Sequence, residues 1–237
     1  MLTSLLVAAA VAVTPQPVRV AAAANLAGAL DEISQAWAAT CKEGCATKIT
    51  YGASGTLASQ IQNGAPFDLF LAADNEYPQR VAVAGFAEGA PFVYTRGKLA
   101  LWVPPESRLP IEKDGVAALG DPSVQRIAIG NPALAPYGRL ALEALKASGQ
   151  DDPKRLVLGE SVGQAAQQAQ SGSVQAALLP LSLAMQMPGR HVEAHGTIDQ
   201  GGVLLKSARD RMLTRSFMEF LLSKEARQIF AKRGYAP

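Results

Sequence analysis

Apolar positions along this chain alternate between two rhythms. Short runs of β-branched and small apolar residues are followed by stretches in which apolar residues recur every three or four positions, the spacing of one helix face. Val18–Ala23 reads as a strand, and Leu26, Leu30, Ile33 and Trp37 follow at helical spacing. Residues 48–51 read as the next strand, with Leu57 and Ile61 on the helix after it. Residues 67–72, apolar apart from Asp68, read as a third buried strand, ahead of a short helix over residues 81–84. A second set begins near Lys98. Its strands are residues 99–103, ended by Pro104-Pro105, then 126–129, 156–158 and 174–179. Its helices carry Leu140, Leu142 and Leu145, and then Val162, Ala165, Ala166 and Ala169. The chain closes with a strand at residues 203–205 and helical patterns from 211 to 230.

Strands alternating with helices predict mainly parallel sheets flanked by helices, an α/β class. Two such sets predict two lobes. The last strand and helices lack a partner late in the second set and are expected to return to the first. Residues 18–95 with 200–237 then form lobe I, and residues 96–199 form lobe II. The crossovers are expected near residues 94–97 and 191–202, where the strand pattern breaks.

Composition narrows the function classes. The 237 residues are 49% hydrophobic and 18% charged, which excludes a disordered chain and suffices for two cores. Twenty-two Lys+Arg against 20 Asp+Glu leave +2 with no basic run, which argues against a nucleic-acid partner. Two Cys and two His leave few candidates for zinc or triad chemistry. Residues 1–17 resemble a clipped secretory signal. Leu5 to Val13 form an apolar run too short to span a bilayer, and Ala10-Val11-Ala12 supply small residues for a peptidase, although a positive n-region is missing. A first strand that begins early is the alternative. No other segment is long and apolar enough for membrane insertion. Cys41 and Cys45 lie in TCKEGC between a helix and a strand. In an oxidising compartment this spacing closes a small structural disulfide. Two free thiols are the alternative; a redox pair is disfavoured because C-x-x-x-C is not the C-x-x-C motif.

Candidate chemistry gathers where strands meet helices. Asn25 in AAAANL, Ser54 in YGASGTL and Tyr137-Gly138 in NPALAPYG each stand at such a junction, and Ser161-Val162 in LGESVGQ forms a fourth. In an open α/β sheet such junctions line one crevice. Helix N-termini bring unpaired N–H groups and a positive dipole end. Several together form an anion site without full positive charge. Asn25, Ser54 and Tyr137 add side-chain donors, and a fully ionised tetrahedral oxyanion needs donors only. Taken singly, Asn25 and Ser54 read as helix caps, Tyr137 as a packing residue and Val162 as core.

The segment YGASGTLASQIQNGAPFDLFLAAD resembles the signature of the periplasmic molybdate-binding proteins of ABC transporters. AAAANLAGALDEI resembles their first strand and helix, and GNPALAPYGRLALEAL with the helix at ESV resembles their second lobe. The resemblance runs from Val18 to Tyr235. It implies a two-lobed periplasmic-binding-protein fold of type II, with two crossover segments. It implies a monomeric periplasmic receptor that captures molybdate, and tungstate as well, between its lobes and delivers it to an ABC permease. It has no catalytic step and no cofactor. Carried over residue by residue, the ligand set is Ala24, Asn25, Ser54, Tyr137 and Val162, which meet the oxyanion and never the metal directly. Some members place a late-strand Tyr on the anion. Here that position is Pro180, which has neither N–H nor hydroxyl, and Tyr137 is the phenol left to replace it.

Other chemistries fit less well. G-A-S-G around Ser54 is not the G-x-S-x-G elbow, and no P-loop is present. His191 and His195 lie between Pro188-Gly189 and Gly196, which predicts a loop rather than a metal-binding helix face. Asp68 and Asp74 flank a buried strand and read as turn or capping residues ahead of acid–base carboxylates. Arg139 either pairs with an acid or sits at the cleft lip. The rival functions are a receptor for another oxyanion such as sulfate, a serine hydrolase using Ser54, and a cytoplasmic anion sensor.

Overall fold

The computed structural model describes residues 16–41 and 44–236. Residues 1–15, which hold nearly all of the expected leader, lie outside the described residues. The first βα units are β1 (Val18–Ala23), α1 (Ala29–Thr40), β2 (Thr47–Gly52), α2 (Ser54–Gln62), β3 (Leu69–Leu71) and α3 (Glu76–Val83). A long strand, β4 (Phe92–Val103), leads to a short α4 (Ile111–Asp114). The second units are β5 (Ile127–Gly130), α5 (Pro136–Ala147), β6 (Leu156–Gly159), α6 (Val162–Gln170), β7 (Ala176–Pro180) and a short α7 (Leu181–Ala184). A second long strand, β8 (Arg190–Leu204), returns to α8 (Arg211–Leu221) and α9 (Lys224–Lys232).

The strands form one mixed sheet in the order β2-β1-β3-β8-β4-β7-β5-β6. It is parallel in both outer parts, where β1 pairs with β2 and β3, and β5 pairs with β6 and β7. Most strands there are short and largely apolar, as burial under helices demands, whereas the edge strand β2 (TKITYG) alternates half-buried and exposed residues. The centre is antiparallel. The end of β8 lies on β3 through Leu69↔Leu204, and the end of β4 lies on β7 through Leu99↔Pro180. Each long strand therefore serves both halves of the sheet. Their mutual register slips between Val93 and Thr95 and again between Lys98 and Ala100, where they pass from one half to the other.

Here the structure corrects the sequence reading. The strand expected from residue 99 starts at Phe92, and residues 191–202 are strand rather than a break. His191 accordingly lies in β8 and not in a loop. The ribbon escaped notice because it is polar on its exposed side: Arg96 pairs with Asp199 at 2.6 Å and Lys98 with Glu193 at 2.9 Å. A half-solvated pair of this kind lacks the apolar run that marks the buried strands.

Packing places the C-terminal helices on α1. The rings of Trp37 and Phe217 lie 4.9 Å apart, Trp37 Nε1 donates to Ser216 Oγ at 3.3 Å, and Arg233 Nε donates to Glu32 at 2.9 Å. Phe230 sits between Tyr94 and Tyr235, at 5.9 and 5.1 Å. Asp68 is a structural carboxylate. Burial pushes its pKa up, but the guanidinium and backbone N–H of Arg19 and the N–H of Arg209 outweigh that and hold it below the usual range.

Cys41 and Cys45 are joined by a disulfide, with Cα atoms 5.9 Å apart. The bridge closes a very short loop, so it constrains the unfolded chain only modestly. Reduction should lower the unfolding free energy by about 2 kcal/mol. Urea denaturation with and without reductant measures this, and a loss far above that value would mean the bridge braces the native packing itself.

Candidate functional site

The strand-to-helix junctions meet at a small cavity of about 10 Å³. Its wall includes Ala24, Asn25, Ser54, Ala73, Tyr137 and Val162, and among the described residues no charged side chain lines it. The structure thus brings together all five residues picked out as a ligand set, every one of them buried.

Each junction delivers its donor for a local reason. Helix α2 is preceded by Ala53, which offers no side-chain cap, so Ser54 is the first helical residue. Its Oγ accepts from the N–H of Ala73 at 3.0 Å. The plain capping role considered for Ser54 is therefore not what the structure shows. With that lone pair engaged, the hydroxyl proton is left for the cavity. Helix α5 begins with Pro136, which has no N–H and a φ suited to a first turn, so Tyr137 carries the first backbone donor. Helix α6 is capped by Ser161, whose Oγ accepts from Gln164 N–H at 3.3 Å. Val162 follows as the first helical residue. First-turn N–H groups have no intrahelical acceptor, so those of Ser54, Tyr137 and Val162 are available to a guest.

Asn25 does not open a helix directly. It lies in a 3-10 turn, Ala24–Leu26, ahead of α1. Its Nδ2 donates to Gln200 Oε1 at 2.9 Å and to Tyr235 Oη at 3.2 Å. Gln200 Nε2 in turn donates to Tyr137 Oη at 2.9 Å. Burial pushes the phenol pKa values of Tyr94, Tyr137 and Tyr235 upward, which keeps these groups protonated. The cavity therefore combines the ends of three helices with the Ser54 hydroxyl, whose acceptor side is already occupied. These groups favour a small anion without protons, and the buried Oδ1 of Asn25 is the acceptor among them.

A family model described as bacterial extracellular solute-binding protein matches residues 18–236. The chain belongs to that family. It is 32% identical over 223 residues to the molybdate-binding protein ModA of Rhodobacter capsulatus, covering 91% of this chain and 86% of the relative. The periplasmic molybdate-binding protein of Azotobacter vinelandii superposes with a TM-score of 0.84 at 31% identity, covering 93% of this chain and 99% of that one. The sulfate-binding protein SubI of Mycobacterium tuberculosis superposes with a TM-score of 0.79 at 17% identity over 93% of this chain and 86% of that one, a likeness of fold alone. The family comprises receptors and not enzymes.

In this solute-binding protein the two halves of the sheet touch across the cavity. Gly55 N–H donates to Leu134 O at 2.9 Å, Tyr77 Oη to Ala133 O at 3.2 Å and Ser182 Oγ to Asn25 O at 2.9 Å. Arg139 on α5 reaches Asp74 at 2.5 Å and Glu76 at 3.2 Å, and its guanidinium lies 5.7 Å from the Tyr77 ring. Of the two readings of Arg139, pairing is what the structure holds. Burial pushes the Asp74 pKa up, while the Tyr77 N–H and the Arg139 charge pull it back only in part. Asp74 also accepts from Tyr77 N–H at 3.1 Å, which makes it a turn residue at the start of α3. A wider groove follows the same seam, lined by Thr56 and Gln60 on one side and Gln164 and Gln167 on the other.

Sequence reasoning missed Gln200, Tyr94 and Tyr235, which hold the donors from behind. A fully polar residue beside two glycines in a segment read as a break was the one available signal. Gly97 was missed as well. A Cβ there would overlap Tyr137 Oη and Gln200 Nε2. Gly97→Ala should therefore lower unfolding free energy by about 1–3 kcal/mol, the range for overpacking a filled interior. Urea unfolding of the variant checks this, and unchanged stability would show that the phenol and amide are not confined there.

Proposed function

We propose that this chain is a periplasmic receptor for molybdate, and for tungstate, that hands the anion to an ABC permease. The observation that carries the reading is a buried cavity walled by donors from three helix N-termini, in a chain 32% identical to a molybdate-binding relative. The protein contributes binding only, with no cofactor, and acts as a monomer. Ala24, Asn25, Ser54, Tyr137 and Val162 surround the oxyanion, with no side chain on the metal itself.

Residues 18–95 with 200–237 act as one lobe and residues 96–199 as the other, hinged on the two long strands. Capture is closure of these lobes, a hinge motion around a ligand. The anion enters along the glutamine-lined groove, and the Gly55, Tyr77 and Arg139 contacts hold the closed form. Selectivity follows from size and protonation. Sulfate is smaller and cannot reach all donors at once. Protonated phosphate would turn an O–H toward a donor, an unmatched buried contact. Sulfate remains the closest rival, because the fold is shared with a sulfate receptor. The hydrolase reading is weaker: the partner of Ser54 Oγ is a backbone N–H, where a nucleophile needs a base.

Three outcomes test the proposal. Arg139→Gln removes a partly exposed ionic contact made only in the closed form. It should speed molybdate release roughly fivefold, in line with an ion pair worth about 1 kcal/mol. Stopped-flow release measures it, and slower release would place Arg139 outside the closing contacts. Calorimetric titration with molybdate, tungstate, sulfate and phosphate then identifies the ligand. Ser54→Ala should cost one to two decades in molybdate affinity, because a charged hydrogen bond is worth roughly 1.5–3 kcal/mol. Ser59→Ala, on the same helix but away from the cavity, should leave it unchanged. Equal affinities in two well-folded variants would remove Ser54 from the site.

A further inference from the structure

Gln200 lies wholly buried on β8, behind the cavity wall. Its Oε1 accepts from Asn25 Nδ2 at 2.9 Å and lies 3.1 Å from Tyr94 Oη, while its Nε2 donates to Tyr137 Oη at 2.9 Å. This arrangement leaves two mismatches. Asn25 lines the cavity, yet its Nδ2 is turned to Gln200 and its Oδ1 is buried without a partner among the described residues. Tyr94 has a single proton for two acceptors, Gln200 Oε1 and Ala72 O at 2.8 Å. An unpaired acceptor at the wall suits an anion that still carries an O–H, and opposes one that carries none.

A half turn of both amides removes both mismatches. Gln200 Nε2 then donates to Asn25 Oδ1 and to Tyr94 Oη, and the Tyr94 proton goes to Ala72 O. Gln200 Oε1 accepts from Tyr137. Asn25 Nδ2 brings its N–H groups to the cavity. Its backbone O keeps Ser182 Oγ as a donor at 2.9 Å, which frees the Tyr235 hydroxyl to turn to Oδ1. The two amides must turn together, because two oxygens or two NH₂ groups cannot face each other at hydrogen-bond distance.

We infer that Gln200 is a positioning residue that sets specificity: bound to a fully ionised oxyanion, the Asn25–Gln200 pair stands reversed, with Asn25 Nδ2 toward the anion. The reversed pair is the one in which Tyr94 and Asn25 are both matched. Gln200 therefore biases the wall toward donors and against protonated oxyanions. This rests on the oxyanion-receptor reading and adds to it a residue outside the cavity.

The test is titration of the wild type and of Gln200→Met with molybdate, sulfate and phosphate at one pH and salt, with anion-free melts as the folding control. Freed from Gln200, Asn25 can present either end. The preference for molybdate over phosphate should narrow by about tenfold, one hydrogen bond's worth, while molybdate over sulfate stays unchanged. Equal weakening for all three anions is what a merely structural role gives, and it would overturn the inference alone. A wild type that binds none of them would overturn the receptor reading, and the inference with it. A second readout needs no variant at this position. In the ¹H–¹⁵N spectrum of the wild type, the Asn25 side-chain NH₂ protons should move downfield when molybdate is added. If they stay in place while the Ser54 and Val162 amides move, the inference falls even where Gln200→Met does not fold.

Discussion

A buried anion site with no cationic side chain can be built only from neutral donors whose acceptor sides are already taken. A free hydroxyl or amide can turn its oxygen to the guest, and a single such oxygen opposes binding in a water-poor cavity. In this protein Ser54 Oγ takes the Ala73 N–H and is thereby left with a proton for the cavity. The remaining donors are backbone N–H groups in the first turns of α2, α5 and α6, which cannot reverse. The rest of the architecture serves this requirement. Parallel strands start their helices at one sheet edge, so three helix N-termini can converge.

The same requirement explains why the donors come from two halves of the sheet. Ser54 stands between β2 and β3, whereas Tyr137 and Val162 follow β5 and β6. Neither half alone encloses the cavity, so tight binding and closure are one event in the proposed mechanism. The long strands β4 and β8 are the parts shared by both halves, and the site is wired into them. Gly97 on β4 leaves the space that Tyr137 Oη occupies, and Gln200 on β8 holds that hydroxyl. Movement of the strands would reach the anion through those two residues without any intervening loop.

Much of this was legible in the sequence because buried parallel strands and amphipathic helices leave strong periodic marks. The junctions at Asn25, Ser54, Tyr137 and Val162 stood out for that reason. Their spacing alone left capping and packing open, and the resemblance to molybdate-binding proteins is what singled them out. The central ribbon was not legible. Arg96, Lys98, Glu193 and Asp199 satisfy one another across an exposed face, so the segment carries no apolar run. Gln200 was hidden with it. Nor does local sequence say that Ala53, not Ser54, takes the cap position, since that depends on Ala73 from a different strand-to-helix connection claiming the hydroxyl. The partner of Arg139 was equally invisible, because Asp74 lies in the other half of the sheet and meets Arg139 only where the two halves touch.

In the proposed mechanism neutral donors alone hold the anion. Diffraction from crystals grown with molybdate, recorded at the molybdenum absorption edge, locates it. One anomalous peak is expected inside the cavity, with its oxygens on the N–H and O–H groups of Asn25, Ser54, Tyr137 and Val162. No Lys or Arg nitrogen should lie in contact. A peak outside this cavity, or an anion held directly by the Arg139 guanidinium, would contradict it.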